Sequence, residues 1–362
     1  MAAALTLEQV LGYVYLTGLI KNITTGIPDV LPAPFKTIVK KTLGIQGRYT
    51  RVQGTRATAR LVQYGSPGVR RATKGIDSQD VKLLSSKETF FLNYLALQTL
   101  RNYTNYDLQA RGLEEIERQQ MEFRALFDNL RLAATYSMLA NGKIWWDKDG
   151  NLLPSSSGAQ ETTDFLMNAN NQTQLNGIIS SSWKNFNTDI PGQLRALKQR
   201  AALLTGYPLK YAFYGINVPS YMTANNYVLD YLARSPVMRE RYVDSAELPD
   251  GLFDFTWVPV YTAFYQDANG TNQTFFGGDT VVFTPEIDQS WYEMMEGTDG
   301  VPSTFAPAAT MQAALATIKE VQGMYSYGVA TANPVGAEML TGDNFSPILK
   351  VPDAIYEANV AP

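Results

Sequence analysis

The chain contains no cysteine and no histidine among its 362 residues. Without cysteine, neither disulfide bonds nor thiolate nucleophiles nor thiolate metal sites can form. Histidine is the commonest general acid–base residue and the commonest protein ligand of metals, so its absence excludes most hydrolases, transferases and metalloenzymes. Catalysis by carboxylates alone stays open. We therefore expect no metal and no cofactor in this protein.

Long apolar runs are also scarce. Leu11–Ile20 is apolar, but it is short for a membrane span, and it lacks a preceding basic region and a following small-residue cleavage site. We expect this segment to dock on another protein surface and not to enter a membrane. Hydrophobic residues make up 45% of the chain, which is enough for a sizeable core.

Charge is distributed unevenly. The net charge of −4 gives no overall basic field for nucleic acid. Lys36–Lys87 nevertheless holds twelve lysines and arginines against only Asp77 and Asp80, so the remainder of the chain is acidic. Such an arrangement predicts that the basic segment contacts a neighbouring subunit or nucleic acid. A solvated surface hairpin is the simpler alternative.

The basic segment has the pattern of a β-hairpin. Gly47–Tyr64 alternates Thr, Arg and Val as strands do, Gly65–Gly68 is a turn, and Val69–Thr73 can return. Its apolar residues are too few to bury a face, and an isolated two-stranded hairpin is marginal in water. We therefore predict that it lies on a partner subunit. The residues assigned to this contact are Arg48, Arg51, Arg56, Arg60, Arg70, Arg71 and Lys74.

A long helix is predicted over 105–141. Its apolar residues recur at steps of three, four or seven and form one stripe, and Asn141-Gly142 is a typical helix end. The stripe consists of Ile116, Phe123, Phe127, Leu130, Ala134 and Met138. No second helix of matching length follows, so we expect this one to lie across a sheet as a spine. Lys143–Leu153 is predicted as a hairpin, in which Trp145 and Trp146 pack in a core or interface.

The second half of the chain mixes helix and strand patterns. Residues 154–177 are polar and predict a domain junction. Helices are expected over Pro191–Thr205 and Pro219–Arg234, with a short buried strand at Lys210–Tyr214 between them. Gly328–Val360 is expected to form short strands interrupted at its glycines and prolines.

Leu252–Asp288 carries the most specific pattern. Phe253, Phe255 and Trp257 alternate with polar or small residues, and Pro259 indicates a sheet edge or a bulge. An Asn-Gly turn, a Phe-Phe-Gly-Gly run and a Val-Val-Phe-x-Pro strand follow in that order.

This order resembles the major capsid protein E family of tailed bacteriophages, to which the phage lambda head protein belongs. The tail Gly323–Val360, with MYSYGVATANP and SPILKVPDAIYEANV, is similar to the ending of the family. The resemblance implies an α+β protein with the Hong Kong ninety-seven fold. Its expected parts are an N-terminal arm (1–46), an E-loop hairpin (47–76), a P-domain (77–158) with the spine helix (105–141), an A-domain (159–300) and a return into the P-domain (301–362).

The resemblance also implies a function. The protein would be a non-enzymatic major capsid protein that forms pentamers and hexamers of an icosahedral shell around double-stranded DNA. Implied partners are a scaffolding protein, a portal, a decoration protein and packaged DNA bound without sequence specificity. The expected location is the virion, after assembly in the host cytoplasm. Some relatives crosslink lysine to asparagine, and no such pair can be assigned from this sequence.

Two other functions are compatible with parts of the sequence. A nucleic-acid-binding protein could use residues 36–87, although their basic residues alternate with Thr, Gly and Val, not with stacking aromatics. A glycosidase could use Asp288 and Glu293 as its carboxylates, with Trp291 and Tyr292 as sugar platforms. No repeated strand–helix pattern of a barrel supports the glycosidase.

Overall fold

Two larger β-sheets and one 36-residue helix organise the protein. The computed structural model describes residues 6–25, 31–44, 46–51, 77–101, 106–148, 150–234, 248–262, 264–266, 270–303, 318–332 and 334–362. The helices are α1 (Leu7–Val10), α2 (Tyr13–Asn22), α3 (Ala33–Thr37), α4 (Tyr94–Arg101), α5 (Tyr106–Asn141), α6 (Ile190–Leu204), α7 (Val218–Ala224) and α8 (Asn226–Ala233). The first strands are β1 (Val39–Lys41), β2 (Gln46–Arg51), β3 (Asp77–Lys82), β4 (Leu84–Asn93), β5 (Lys143–Trp146), β6 (Leu152–Leu153), β7 (Glu161–Asp164), β8 (Leu209–Tyr214) and β9 (Thr256–Pro259). The later strands are β10 (Phe264–Gln266), β11 (Asn272–Thr274), β12 (Thr280–Pro285), β13 (Tyr292–Glu296), β14 (Thr298–Pro302), β15 (Ile318–Gln322), β16 (Tyr325–Ala332), β17 (Val335–Leu349) and β18 (Tyr356–Asn359).

The first large sheet, here the body sheet, has the order β1-β13-β17-β16, and β4 pairs with the other side of β17. β17 is 15 residues long and continues through Gly336, Gly342 and Pro347. The prediction of short strands interrupted at these residues is therefore wrong. The two glycines are needed for packing, because a Cβ at Gly336 would lie 2.4 Å from the Phe91 ring and one at Gly342 would lie 2.5 Å from Tyr325.

Pro347 is tolerated inside β17 for a separate reason. It lies opposite Met294 of β13. Met294 donates its N–H to the carbonyl of Ile38 on its other side, at 2.8 Å. The Met294–Pro347 pair is therefore a non-hydrogen-bonded pair of an antiparallel ladder, and the missing N–H of proline costs that ladder nothing.

Helix α5 lies against the body sheet as the predicted spine. The stripe through Ile116, Phe127 and Met138 is buried, which confirms the predicted orientation. Residues 132–140 are buried on every face of the helix, whereas the preceding turns keep one face exposed. The change occurs because the end of α5 contacts β5, β6 and β18 as well as the body sheet.

Helix α2 covers the open edge of the body sheet at β16. Thr17 accepts the N–H of Ser326 at 3.1 Å and donates to the Ser326 carbonyl at 2.9 Å, and the Leu11 carbonyl accepts the N–H of Gly328. Leu16 and Ile20 of α2 are buried against α5 and the body sheet. The prediction that Leu11–Ile20 docks on another surface is confirmed, and the surface belongs to the same chain.

The second large sheet, here the second sheet, has the order β18-β12-β8-β9. Helices α6, α7 and α8 contribute to the core beside it. The single helix predicted over Pro219–Arg234 is instead two helices. Asn225 ends α7, and its side-chain oxygen accepts the N–H groups of Tyr227 and Val228 at 3.0 and 3.1 Å, so it caps α8.

The aromatic strand predicted from Phe253 begins later than expected. Phe253 and Asp254 lie in a tight turn with positive φ angles of 56° and 57°, and the strand starts at Thr256. β9 runs parallel to β8 at the edge of the second sheet. Pro259 therefore occupies an edge strand, as predicted.

The hairpin predicted at Lys143–Leu153 is formed by β5 and β6. β7 adds a third strand on the other side of β5, although it lies inside the segment predicted as a polar junction. Trp145 and Trp146 are half-buried, and Trp146 packs against the core below the hairpin. This placement agrees with the packing role predicted for the tryptophan pair.

Two cores lie on opposite faces of the second sheet. The body core includes Phe35, Tyr136, Phe213, Trp291 and Phe345. The second core includes Trp183, Leu194, Val228, Phe283 and Tyr356. Each sheet contains strands from both sides of residues 300 and 301, since β13 and β17 belong to the body sheet and β12 and β18 to the second sheet.

Candidate assembly surfaces

The base of the basic hairpin is a two-stranded ladder of β2 and β3. Arg51 lies opposite Asp77, so residues 52–76 leave and return at the same end of the ladder. Arg48 binds Asp80 within this ladder, at 2.7 and 3.2 Å. Its hydrogen bond holds the pKa of the Asp80 carboxyl below the ordinary value. Arg51 donates to the Leu166 carbonyl at 3.2 Å, so this arginine is bound to its own subunit.

The other five residues predicted for intersubunit contact lie outside the described residues. They are Arg56, Arg60, Arg70, Arg71 and Lys74. Several described lysines near the hairpin pair within the subunit, with Lys82 near Glu161 at 3.5 Å and Lys87 near Asp299 at 2.8 Å. The segment 52–76 itself has five basic residues and no acidic residue.

A groove of about 1020 Å³ separates the base of this hairpin from the three-stranded β5–β7 sheet. β3 forms one wall and β7 the other, and within the described residues each strand pairs on one side only. The charged lining includes Asp80, Glu161 and Asp164 against Lys82 and Lys148. Asp147 adds a further carboxylate, so the lining residues carry a net negative charge, although Asp80, Glu161 and Asp164 are each paired with a basic side chain of the same subunit.

Apolar side chains are exposed near α8. Tyr227 and Leu229 lie on the outer surface of this helix, and Ile216 lies on the loop before α7. Phe186 is 58% exposed and adjacent to α8, because the Asn226 N–H donates to the Phe186 carbonyl at 2.9 Å. Grouped exposed apolar side chains of this size are typical of protein–protein contact surfaces.

A second exposed apolar group lies where β4 leads into α4. Tyr94 and Leu95 are exposed there, and Phe91 precedes them on β4. Val335 at the start of β17 is also exposed, next to Gly336, which contacts the Phe91 ring. The body sheet thus ends in a small apolar surface.

Buried ion pairs hold the spine helix to the body sheet. Arg131 of α5 donates to both carboxylate oxygens of Asp343 on β17, at 2.6 and 2.7 Å, and to Glu296 on β13 at 2.9 Å. Burial alone would lower the pKa of Arg131, but the two carboxylates outweigh burial and raise it. A separate hydrogen bond joins β16 to β14, because the Tyr325 hydroxyl donates to the Asp299 carboxylate. Burial together with this carboxylate raises the pKa of Tyr325.

The residues proposed for a glycosidase do not form a sugar site. Trp291 and Tyr292 are fully buried in the body core, where no sugar ring can stack on them. Glu293 is buried and paired with Lys350 at 2.5 Å, while Asp288 accepts the N–H of Ser290. The glycosidase assignment is therefore wrong.

Among the described residues, no group of three or more acidic side chains is placed to hold a metal ion. None of the described helices is both long and apolar enough to span a membrane.

Sequence reasoning missed the acidic groove and the exposed apolar groups. Glu161 and Asp164 lie in a polar stretch that has no strand periodicity, so no sequence pattern indicates that they face the hairpin base. Exposed and buried apolar residues cannot be separated on α8 by sequence, because both follow the same helical spacing.

Comparison with known proteins gives a consistent result. The model of the family described as phage major capsid protein E matches residues 48–360. Among curated proteins none matches the chain. A phage-related protein from Bordetella bronchiseptica RB50 is similar in structure, with a TM-score of 0.50 and 12% identity over 97% of this chain and 98% of that one. The mature capsid of bacteriophage PhiM1 is also similar, with a TM-score of 0.44 and 11% identity over 90% of this chain and 86% of that one.

The family match covers β3, the spine helix, the whole second sheet and every strand of the body sheet except β1. The mixed α+β fold agrees with the fold class that the resemblance implies, and it is shared with the phage-related protein from Bordetella bronchiseptica. The chain belongs to the phage major capsid protein E family, and it is a major capsid protein of the icosahedral shell of a tailed phage.

Proposed function

We propose that copies of this chain form the pentamers and hexamers of a shell that encloses double-stranded DNA. The observation that carries this proposal is the family match over residues 48–360. Two exposed apolar surfaces on the described part of the subunit supply areas for contact with other copies. Assembly would take place in the host cytoplasm with a scaffolding protein and a portal, and a decoration protein would bind the finished shell.

The parts of the subunit are assigned accordingly. We assign residues 1–46 to an arm, 47–76 to the E-loop and 77–158 to a P-domain. Residues 159–300 would form an A-domain near the capsomer centre, and 301–362 would return to the P-domain. The apolar surface near α8 supports this placement, because copies that meet around a fivefold or sixfold axis contact each other through two different complementary surfaces, and an exposed apolar group can supply one of them.

The basic hairpin is assigned to intersubunit contact. Residues 52–76 have five positive charges and no negative charge, whereas the groove between β3 and β7 has an excess of carboxylates. Opposite charges of this kind guide association and fix the register of two surfaces. An exposed ion pair stabilises by about 0–1 kcal/mol, but a shell repeats the contact in every subunit. The groove of one subunit would thus receive the hairpin of the next.

Charge reversal tests this contact. Arg56, Arg60, Arg70 and Arg71 are changed together to Glu, and assembly is followed by negative-stain microscopy and size-exclusion chromatography. We expect a folded subunit, judged by circular dichroism, that no longer forms shells. If the hairpin acts between subunits and does not contact DNA, the variant and the wild-type protein should bind DNA with equal affinity.

A matched control separates a local contact from a change in net charge. The same reversal at four other exposed sites changes Arg111, Arg118, Arg195 and Lys319 to Glu. We expect this control to assemble. Assembly of the hairpin variant at normal yield and salt resistance would show that the hairpin is not the contact. A monomeric wild-type protein with salt-sensitive DNA affinity would instead support the nucleic-acid-binding alternative.

A further inference from the structure

A small cavity lies where the spine helix ends. It has a volume of about 280 Å³ and lies between the end of α5, the β5–β6 hairpin, the β10–β11 hairpin and β18. These elements come from both sides of the predicted boundary between body and α/β region. Any ligand in this cavity would therefore contact both parts of the subunit.

The cavity has one charged side chain among its described lining residues. Glu357 of β18 lines it, and no lysine or arginine does. Its Oε2 accepts the N–H of Thr173 at 2.8 Å. Burial raises the pKa of the Glu357 carboxyl, and the Thr173 N–H only partly offsets this. A half-buried carboxylate without a nearby cation is unfavourable, and a positive ligand would relieve this cost.

The helix end adds negative potential to the same space. Ala140 and Asn141 of the last turn of α5 line the cavity. That turn contains no basic residue. The C-terminal end of a helix has a partial negative charge, equivalent to about half an electron, which favours a cation beside it.

Aromatic and aliphatic side chains form the remaining walls. Tyr265 and Phe275 are stacked with their ring centres 5.5 Å apart, and both line the cavity. Leu152 and Leu153 lie there too. Aromatic faces attract ammonium groups, and the leucines suit a short alkyl chain.

We propose that this cavity binds a primary alkylammonium ion. The ammonium group would lie between the Glu357 carboxylate and the end of α5, and its alkyl chain would lie against Leu152 and the aromatic rings. Calcium and magnesium fit poorly, because each needs several oxygen ligands and the described lining has a single carboxylate. The inference does not depend on shell assembly, because binding to this cavity can be measured on the unassembled subunit.

Binding is tested on the purified full chain with n-butylammonium chloride. Isothermal titration and thermal melting are compared with potassium chloride and with n-butanol, at equal ionic strength. We expect saturable binding of one butylammonium per chain and a higher melting temperature. The two reference compounds should give neither. Equal effects from n-butanol would show a merely apolar cavity, and equal effects from potassium would show an inorganic cation site; either result overturns the proposal.

Three variants locate the site. Glu357→Gln keeps the acceptor for Thr173 and removes the charge, so we expect at least a tenfold loss of affinity. Glu338→Gln removes an exposed carboxylate from β17 and should bind normally. Phe275→Leu should weaken binding about two- to fivefold, since a cation–π contact contributes about 0.5–1 kcal/mol at a partly exposed site. Unchanged affinity in Glu357→Gln would overturn the proposal, whatever its effect on assembly.

Discussion

The two cores of this subunit differ in how their residues are drawn from the chain. Most of the second core comes from one stretch, residues 175–283, and is completed by Tyr356, Ala358 and Val360. The body core combines residues from 31 to 355, including parts of α3, α5, β12, β13 and β17. One core is mainly local in sequence, and the other combines segments that are spread over most of the chain.

The second sheet connects these cores. On β8, Phe213 faces the body core, while Ala212 and Tyr214 face the second core. On β12, Val282 faces the body core, and its neighbours Val281 and Phe283 face the other. Strand positions that are buried on both faces are mostly apolar, which explains the uninterrupted apolar runs Ala212–Tyr214 and Val281–Phe283. Neither core is therefore an independent unit.

The largest expected effect is the loss of stability when an aromatic ring that packs on the shared sheet is removed. Phe213→Ala removes a ring from the body core, and Phe283→Ala removes one from the second core. Each should lower the free energy of unfolding by about 3–5 kcal/mol. Because the cores share a sheet, each variant should still unfold in one transition when followed by calorimetry and tryptophan fluorescence. Two separate transitions would show that the cores fold independently.

A somewhat smaller effect is expected from the ion pairs of the body. Arg131→Met leaves the buried Asp343 and the mostly buried Glu296 without their partner. We expect a loss of about 3 kcal/mol, near the lower end for a buried pair because Arg131 keeps some exposure. Urea unfolding measures it, with Arg118→Met as the control for an exposed pair on the same helix. Equal effects of the two variants would contradict the structural role of Arg131.

The covered edge of the body sheet should give a moderate effect. Thr17→Val retains the shape of the side chain but removes both hydrogen bonds to Ser326. A loss of about 1–2 kcal/mol is expected, since the Ser326 backbone would be left unpaired. Hydrogen exchange should increase at Ser326 and Gly328 and not on β12. Unchanged protection of these two amides would mean that α2 does not shield the edge.

The smallest expected effect is a pH-dependent change in stability caused by Glu357, which lies at the cavity between the two parts of the subunit. The pKa of Glu357 is raised above its ordinary value of 4.5, so the wild-type protein gains stability below this value and loses it as pH rises through the raised pKa. Glu357→Gln should therefore melt slightly higher than wild type at pH 7.5 in amine-free buffer, and the difference should disappear near pH 4. A lower melting temperature for the variant at pH 7.5 would contradict the unfavourable burial of the charge.

Local elements could be predicted from the sequence where a clear periodicity or a turn residue determines the structure. The spine helix, with its stripe through Phe127, and the hairpin at Lys143 have clear periodicity and turn residues. The break between α7 and α8 at Asn225 was not predicted, although asparagine is a strong N-cap residue. The apolar residues on both sides of Asn225 continue the same spacing, so the cap was hidden by the pattern.

The long-range parts could not be derived in the same way. Gly336, Gly342 and Pro347 are strand interruptions by propensity, yet β17 is continuous because rings pack on the glycines and Pro347 lies at a non-hydrogen-bonded position. The acidic groove depends on β3 and β7 coming together across about 80 residues. No local signal contains that information. The order of motifs did identify the family, since order survives when packing details change.

The pairing of β18 with β12 has a consequence for the timing of synthesis. A ribosome makes residues 175–283 well before it makes Tyr356 and Ala358, so the second core lacks an edge strand during that interval. β17 joins the body sheet only shortly earlier in the order of synthesis. A nascent subunit thus has both cores incomplete until these last strands are available. Newly made chains on the same messenger cannot yet present finished contact surfaces to each other, which delays association until residues 335–359 have been made.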